Sequence, residues 1–330
     1  MTYSTLMARK IRSGPHGSRR FFLSALICVG LLACDATSEP PAGRDGQDAD
    51  SPGIVSIGEA SARALLLMDW GESVVAADPV GQLILEQAGI DLTGVHNIQE
   101  ELGRARARYA RIAVIDQAEN RPASFDPEVR DALLQDSVPI VNATPHNLDD
   151  AYSLYREIAG LIDRSSRAES LVRRLHAPLV ERAAQQLGRP RPCVAIVTNL
   201  SPLTLAGGHS FETDVIQLVG GESTTHSDEE WRTSLSLDDL KTREVDLIIV
   251  TDPVGQSTMT SSALSEFTNQ VQPAHVQSSL FHAAAFWLDD PTPRRATLDQ
   301  WEQWVEAVRN ADLGRTNCAL DPRDRPPRLP

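Results

Sequence analysis

Lysine is nearly missing from this sequence. Of 31 basic residues only Lys10 and Lys241 are lysine. Neither follows a GxxxxG loop, and no GxGxxG is present, so the usual phosphate-cradling and dinucleotide loops are excluded. GxSxG is also absent, which removes the nucleophile elbow of serine hydrolases. Only four cysteines occur, with no CxxC and no zinc spacing. Aromatics make up 5% of the chain, so each tryptophan is a notable choice. Basic charge is short as well: 31 Lys and Arg face 45 Asp and Glu, a net of −14. Such a balance argues against nucleic acid and anionic membrane surfaces as partners. Beyond residue 33 no apolar run is long enough to span a bilayer.

What is present begins with a targeting pattern. Arg9, Lys10, Arg12, Arg19 and Arg20 form a basic leader without an acid. The apolar run at 21–32 is short for a permanent anchor. It ends in LLAC at 31–34, which resembles the lipobox of bacterial lipoproteins. In that motif the cysteine, here Cys34, is acylated and becomes the new N-terminus. SRRFFL at 18–23 resembles the twin-arginine export signal, although Ser24 stands where lysine is usual. A general secretory signal with two chance arginines is the other reading. Either route crosses the inner membrane. Removal of residues 1–33 takes away five basic residues, leaving 26 against 45 acids, a net of −19. Residues 34–52, rich in acids, Pro, Gly and Ser, cannot bury enough surface to order and read as a tether.

The remainder is organised around one long helix. At 166–187, Ala168, Leu171, Val172, Leu175, Leu179, Val180, Ala183 and Leu187 fall at i, i+3, i+4, i+7 spacing. Ser165 or Ser166 can cap its start, Gly188 and Pro190 end it, and Pro178 removes a backbone donor inside it. At 1.5 Å per residue it spans roughly 33 Å, about one small domain. On both sides, strand and helix patterns alternate, and such alternation predicts parallel sheets covered on both faces. The apolar runs at 109–116 and 245–252 each end on an acid. In the second half, 193–197 reads as a strand, 199–210 as a loop, and 211–218 as a helix closed by Gly220 and Gly221. The fold class expected is therefore α/β: two Rossmann-like lobes joined by one long inter-lobe helix, with a ligand cleft between them. A helix inside one large domain is the plainer alternative. The expected divisions are 1–33 signal, 34–52 tether, 53–164 N-terminal lobe, 165–188 spine, 189–312 C-terminal lobe and 313–330 tail. Cys193 and Cys318 remain in an oxidising compartment, where a disulfide between them is expected and two free thiols are the alternative.

Three segments together resemble the helical-backbone, class III periplasmic substrate-binding proteins of ABC importers for cobalamin, ferric siderophores and heme. They are IVSIGEASARALLLMDWGESVVAADP from residue 54, LTLAGGHSFETDVIQLVGGES with SLSLDDLKTREVDLIIV, and LDDPTPRRATLDQWEQWVEAV, which carries Pro293 and Arg294. The likeness covers roughly 53–311 and rests on order and spacing rather than on one motif. It implies a monomeric binding protein with no cofactor and no catalytic residues. Its ligand would be a corrinoid or a ferric siderophore.

Trp231, in EEWR, and Trp287, in FWLD, resemble cleft-lining positions of cobalamin-type members, with packing tryptophans as the alternative. Glu59, Ser61, Asp78, Asn199 and His209 are weaker ligand candidates that can equally cap loops. Arg294 can hold the cleft edge or pair with Asp289 or Asp290. The resemblance also implies that an acid on each lobe docks onto permease arginines. Asp238 matches on the second lobe, whereas the first-lobe position falls near Gly103, with Glu100 and Glu101 beside it. A permease-independent scavenger or sensor of the same fold is the alternative role.

Enzymatic readings are weaker. Gly207-Gly208-His209 lacks a Walker lysine. His209 and Glu212 have no third metal ligand at matching spacing, and His146, His226 and His282 are scattered. No metal site is expected.

Cys34 is expected to be the processed, acylated N-terminus. Mass spectrometry of the mature protein checks this, and an unmodified chain starting elsewhere would refute it. Cys34→Ser should shift the protein to the soluble fraction, because acyl chains supply the anchoring.

Overall fold

The computed structural model describes residues 53–116, 127–243, 245–253, 261–271 and 275–311. Cys34, Cys318 and the expected tether and tail lie outside them. The first lobe runs β1 (Ile54–Ile57), α1 (Glu59–Leu67), β2 (Val74–Ala77), α2 (Pro79–Gln87), β3 (His96–Asn97), α3 (Glu101–Ala107), β4 (Ile112–Ile115), α4 (Pro127–Gln135), β5 (Ile140–Asn142) and α5 (Leu148–Leu161). After α6 (Ser165–Gln185), the second lobe runs β6 (Cys193–Leu200), β7 (Leu203–Ala206), α7 (Phe211–Leu218), β8 (Glu222–Ser223), β9 (Arg232–Ser234) and α8 (Leu237–Thr242). It closes with β10 (Leu247–Pro253), α9 (Ser261–Gln270), β11 (His275–Phe281), α10 (Ala284–Trp287) and α11 (Pro291–Asn310).

Short-range chemistry explains the boundaries. The strands are Ile- and Val-rich. Helix α2 starts at a proline, whose fixed φ suits the first helical position. Asn147, Ser210 and Ser236 cap α5, α7 and α8 through side-chain oxygens. Among the described residues the first sheet has the order β3-β2-β1-β4-β5 and is parallel throughout. The second has the order β11-β10-β6-β7-β9, with β8 also on β6. Here β10, β11 and β8 run parallel to their neighbours, while β7 and β9 are antiparallel. The fold is thus two α/β lobes, one with a parallel sheet and one with a mixed sheet.

Strand periodicity then distributes the core. Ile54, Ile112 and Val114 point to one face of the first sheet, and Val55, Ile57, Ala113 and Ile115 to the other. In the second sheet Val194, Ile196, Leu247 and Ile249 face one way, Ala195, Val197, Ile248 and Val250 the other. The outer faces have separate cores. The inner faces share one, which continues through α5, α6, α7, α10 and α11. Helix α6 contributes Ala168, Leu171, Val172, Leu175, Leu179 and Ala183, all buried. It is the inter-lobe spine, flanked by α5 and α11.

Polar contacts hold α6 and its C-terminal turn to α11. Arg182 pairs with Asp299 and, at 3.4 Å, with Glu302. Gln186 Nε2 donates to Glu302 at 2.6 Å, and Arg189 Nη2 to Glu306 at 2.9 Å. Arg309 donates to the Pro190 and Gly220 carbonyls at 2.8 and 3.1 Å. Single exposed pairs contribute little, so the buried stripe carries the stability of this junction and the ions fix its register.

Several expectations need correction. Arg164 sits at the α6 N-cap without a side-chain cap bond, so neither Ser165 nor Ser166 caps it. Residues 199–210 are not one loop: β6 runs to Leu200 and turns back through Pro202 into β7. Helix α5, not anticipated, packs on α6 and adds Leu148, Tyr152, Tyr155 and Ile158 to the shared core. Cys193 is disulfide-bonded; its expected partner lies outside the described residues. No helix among the described residues is long and apolar enough to cross a membrane.

Leu175 is fully buried in the shared core. Leu175→Ala should lower stability by about 3 kcal/mol. Both lobes should then unfold in one transition at lower denaturant, read by urea titration with two probes. Two separated transitions would contradict a shared core.

Candidate functional site

A cavity of about 330 Å³ opens where the lobes meet, lined by His146, Asn147 and Asp150 of the first lobe and His209, Glu229, Glu230, Trp231 and Arg232 of the second. The first-lobe wall is the turn from β5 into α5. Asn147 accepts from Asp150 N at 2.8 Å and starts the helix, while His146 N donates to the Asp150 carboxylate at 3.2 Å. These two bonds fix the turn that presents the His146 ring.

The second-lobe wall depends on two glycines. A Cβ on Gly207 would lie 2.0 Å from Glu230 O, and one on Gly208 2.4 Å from Asp228 O. Only glycine permits that approach. It lets Gly207 N donate to Trp231 O at 3.0 Å and His209 N to Glu230 O at 3.3 Å. The glycine pair is therefore a packing device for the Trp231 loop. Ser210 Oγ accepts from Thr213 N at 3.2 Å and donates to Gly207 O at 2.8 Å, which makes it the α7 cap.

Trp231 and His146 then stack across the lobe boundary, with ring centroids 4.5 Å apart and planes 19° apart. The Arg232 guanidinium lies 4.5 Å from the Trp231 centroid. Its fork is held by Glu212, at 2.8 and 3.3 Å. The one arginine of the cavity is thus committed to a carboxylate, while Asp150, Glu229 and Glu230 line the space. The site has an aromatic centre and an acidic rim. Among the described residues no group of three or more His, Cys, Asp or Glu could hold a metal ion.

The remaining candidates lie elsewhere. Trp287 is only 4% exposed and packs on Tyr155, whose hydroxyl donates to the Trp287 carbonyl. It is a core tryptophan and does not line the cavity. Asp78 accepts from Gly58 N and Gly81 N, both at 2.9 Å, bracing the β1 turn and capping α2. Ser61 is buried against Ser56 Oγ and Val114 O, both at 2.8 Å. Glu59 pairs with Arg63 at 2.9 Å, and Asn199 accepts from Ser201 N at 3.1 Å. Arg294 pairs with Asp289 at 3.4 Å rather than edging the cavity. Of the expected ligand residues, Trp231 and His209 line it. A larger cavity of about 600 Å³, lined by Asp252, Ser278, Leu280 and His282 among others, lies within the second lobe.

Sequence reasoning missed Asp150 and Asp214, and met His146 only as one of several scattered histidines. The Asn147 cap followed by two acids was the available signal for the first-lobe wall. Asp214 Oδ2 accepts from Leu148 N at 2.8 Å, from one lobe to the other, and Phe211 N donates back to His146 O at 2.8 Å. Some of the residue's surface remains open to solvent, yet its carboxyl is desolvated. Burial chiefly raises the Asp214 pKa to about 7. The Leu148 bond opposes the rise, and Asp149, Asp150 and Glu212 add to it.

No protein-family model matches the chain, and no curated protein matches its sequence. Solved structures do. An ABC transporter substrate-binding protein from Listeria monocytogenes aligns at 13% identity, TM-score 0.55, over 78% of this chain and 99% of that one. A possible iron-binding, periplasmic solute-binding protein from Staphylococcus epidermidis aligns at 17% identity, TM-score 0.52, over 78% and 97%. A periplasmic heme-binding protein solved with two hemes aligns at 14% identity, TM-score 0.50, over 77% and 98%. The chain has the fold of the periplasmic substrate-binding proteins.

Asp214 gives a pH prediction. Its folded pKa lies above the ordinary carboxyl value, so between about pH 4 and 7 the native state holds a proton that the unfolded chain has lost. This group's contribution to stability is greatest below about pH 4 and declines as pH rises to 7. Asp214→Asn should remove that decline, raising stability at pH 8 relative to wild type by on the order of 2 kcal/mol. Urea unfolding of both proteins at pH 5 and 8 checks it.

Proposed function

We propose that this chain is the substrate-binding lipoprotein of an ABC importer. It captures a neutral or cationic metal chelate, a corrinoid or a ferric siderophore, between its lobes and delivers it to an inner-membrane permease. The observation that carries this reading is the cavity shared by two lobes, with Trp231 and His146 stacked across it. Indole and imidazole cover flat, partly apolar faces at low entropic cost. Binding, rather than catalysis, is also what the fold neighbours do by name, one of them with two hemes.

The site's charge narrows the ligand. Asp150, Glu229 and Glu230 oppose a multiply anionic guest, and Arg232 is already engaged by Glu212. Catecholate complexes and heme are disfavoured relative to hydroxamates and corrinoids. The cavity volume lies at the small end of the range for drug-sized ligands, so a bulky chelate requires the Trp231–His146 stack to part. Residues 1–52 supply the export signal, the acylated Cys34 and the tether that places the protein in the periplasm at a membrane.

Permease docking is assigned to Asp238, whose side chain is 94% exposed, with Glu100 and Glu101 on the first lobe. The first-lobe acid cannot sit at Gly103, where a Cβ would lie 1.9 Å from Asn97 O.

The experiment is titration of the ligand-free protein with cyanocobalamin, a ferric hydroxamate, a ferric catecholate and hemin, followed by tryptophan fluorescence. One of the first two should bind at submicromolar affinity. Trp231→Ala should weaken it about thirtyfold. Asp238→Ala should leave that affinity unchanged and lower association with the permease. Binding that survives Trp231→Ala removes this residue from the site, and no binding of any chelate sinks the ligand class.

A further inference from the structure

Two bonds close the seam beside the cavity: Leu148 N to Asp214 Oδ2 and Phe211 N to His146 O, each 2.8 Å. They join the first turn of α5 to the first turn of α7, so the seam cannot open without exposing Asp214. Every element packed here brings titratable or charged groups. Helix α5 supplies Asp149, Asp150 and Tyr152, and α7 supplies Glu212, tied to Arg232 of β9. Arg294 of α11 acts on Tyr152, His176 of α6 meets the Tyr152 ring edge-on, and His146 and His209 flank the seam. Behind the seam, Tyr152 Oη, His176 Nδ1 and Arg294 Nη1 are buried without a hydrogen-bond partner among the described residues.

We propose that Asp214 makes closure of the cleft proton-dependent: with its proton the seam between α5 and α7 stays shut, and without it the seam opens. The physical reason is that a neutral carboxyl fits an enclosed site among Asp149, Asp150 and Glu212, whereas a carboxylate there gains by reaching water. The raised pKa agrees in sign, since the state that holds the proton more tightly is the one the proton favours. A ligand that needs the seam shut is then retained at acid pH and released more readily as pH rises to about 7. That consequence rests on the binding role proposed above, whereas the seam itself does not.

Hydrogen–deuterium exchange on the ligand-free full chain tests the seam, followed by mass spectrometry of peptides covering 146–152 and 209–214. After correction for intrinsic rates, opening in the wild type should rise with pH, toward about tenfold per unit, between the ordinary carboxyl value near 4 and the shut-state value of about 7, and level off above it. Asp214→Asn should be flat from pH 5.5 to 8.5. A flat wild-type profile overturns the proposal, whether or not the variant folds. A rise that persists unchanged in Asp214→Asn also overturns it and assigns the effect to the histidines common to both proteins. Because no chelate is present, failure here is distinct from failure of the ligand assignment.

Discussion

One shared apolar core governs this molecule. The inner faces of both sheets drain into it through α5, α6, α7, α10 and α11, so the lobes are not two bodies tied by a string. Opening them widely would expose Leu171, Leu175 and Leu179 along the spine, at a cost of about 1.5–3 kcal/mol for each such side chain. Cleft motion is therefore confined to what the α5–α7 seam and the loops above it allow. The polar clasp of Arg182, Gln186 and Arg189 on α11, with Arg309 of α11 reaching back to the Pro190 carbonyl, limits slippage further, more through geometry than energy.

That constraint shapes the site. The cavity is assembled from chain turns at helix starts, where capping side chains and backbone donors are available. Asn147 and Ser210 each begin a helix and so set the first- and second-lobe walls. The glycine pair brings the Trp231 loop against the α7 turn, and the stack with His146 follows. Charge is handled locally: Glu212 takes the one nearby arginine, leaving the rim acidic. The desolvated Asp214 is an electrostatic cost placed at the junction, where opening relieves it.

Much of the architecture was legible in the sequence, because periodicity reports burial directly. Of the stripe, Ala168, Leu171, Val172, Leu175, Leu179 and Ala183 are the buried face of α6, whereas Val180 is half-buried and Leu187 is exposed past the helix end. The apolar runs at 109–116, 193–197 and 245–252 contain β4, the start of β6 and most of β10. Less legible was the β6–β7 hairpin, since Asn199, Ser201 and Pro202 signal a turn without saying that a strand returns. Helix α5 passed unnoticed, although the Asn147 cap and its two following acids announce a helix start.

The site was legible only in part. Of the two leading candidates, Trp231 lines the cavity and Trp287 packs in the core; of the weaker ones, His209 lines it, while Ser61 and Asp78 make structural hydrogen bonds. A residue type carries its chemistry in the sequence, but not its neighbours or its exposure. The sequence by itself determined the α/β alternation, the spine and its buried face, the leader pattern and the acidic balance, all of which depend on local spacing or on composition. Only the tertiary structure decided that Trp231 meets His146, that Glu212 occupies Arg232, and that Asp214 bridges the lobes. Each of these joins residues 20 to 85 positions apart, and such contacts arise from packing two lobes on one core, not from any pattern along the chain.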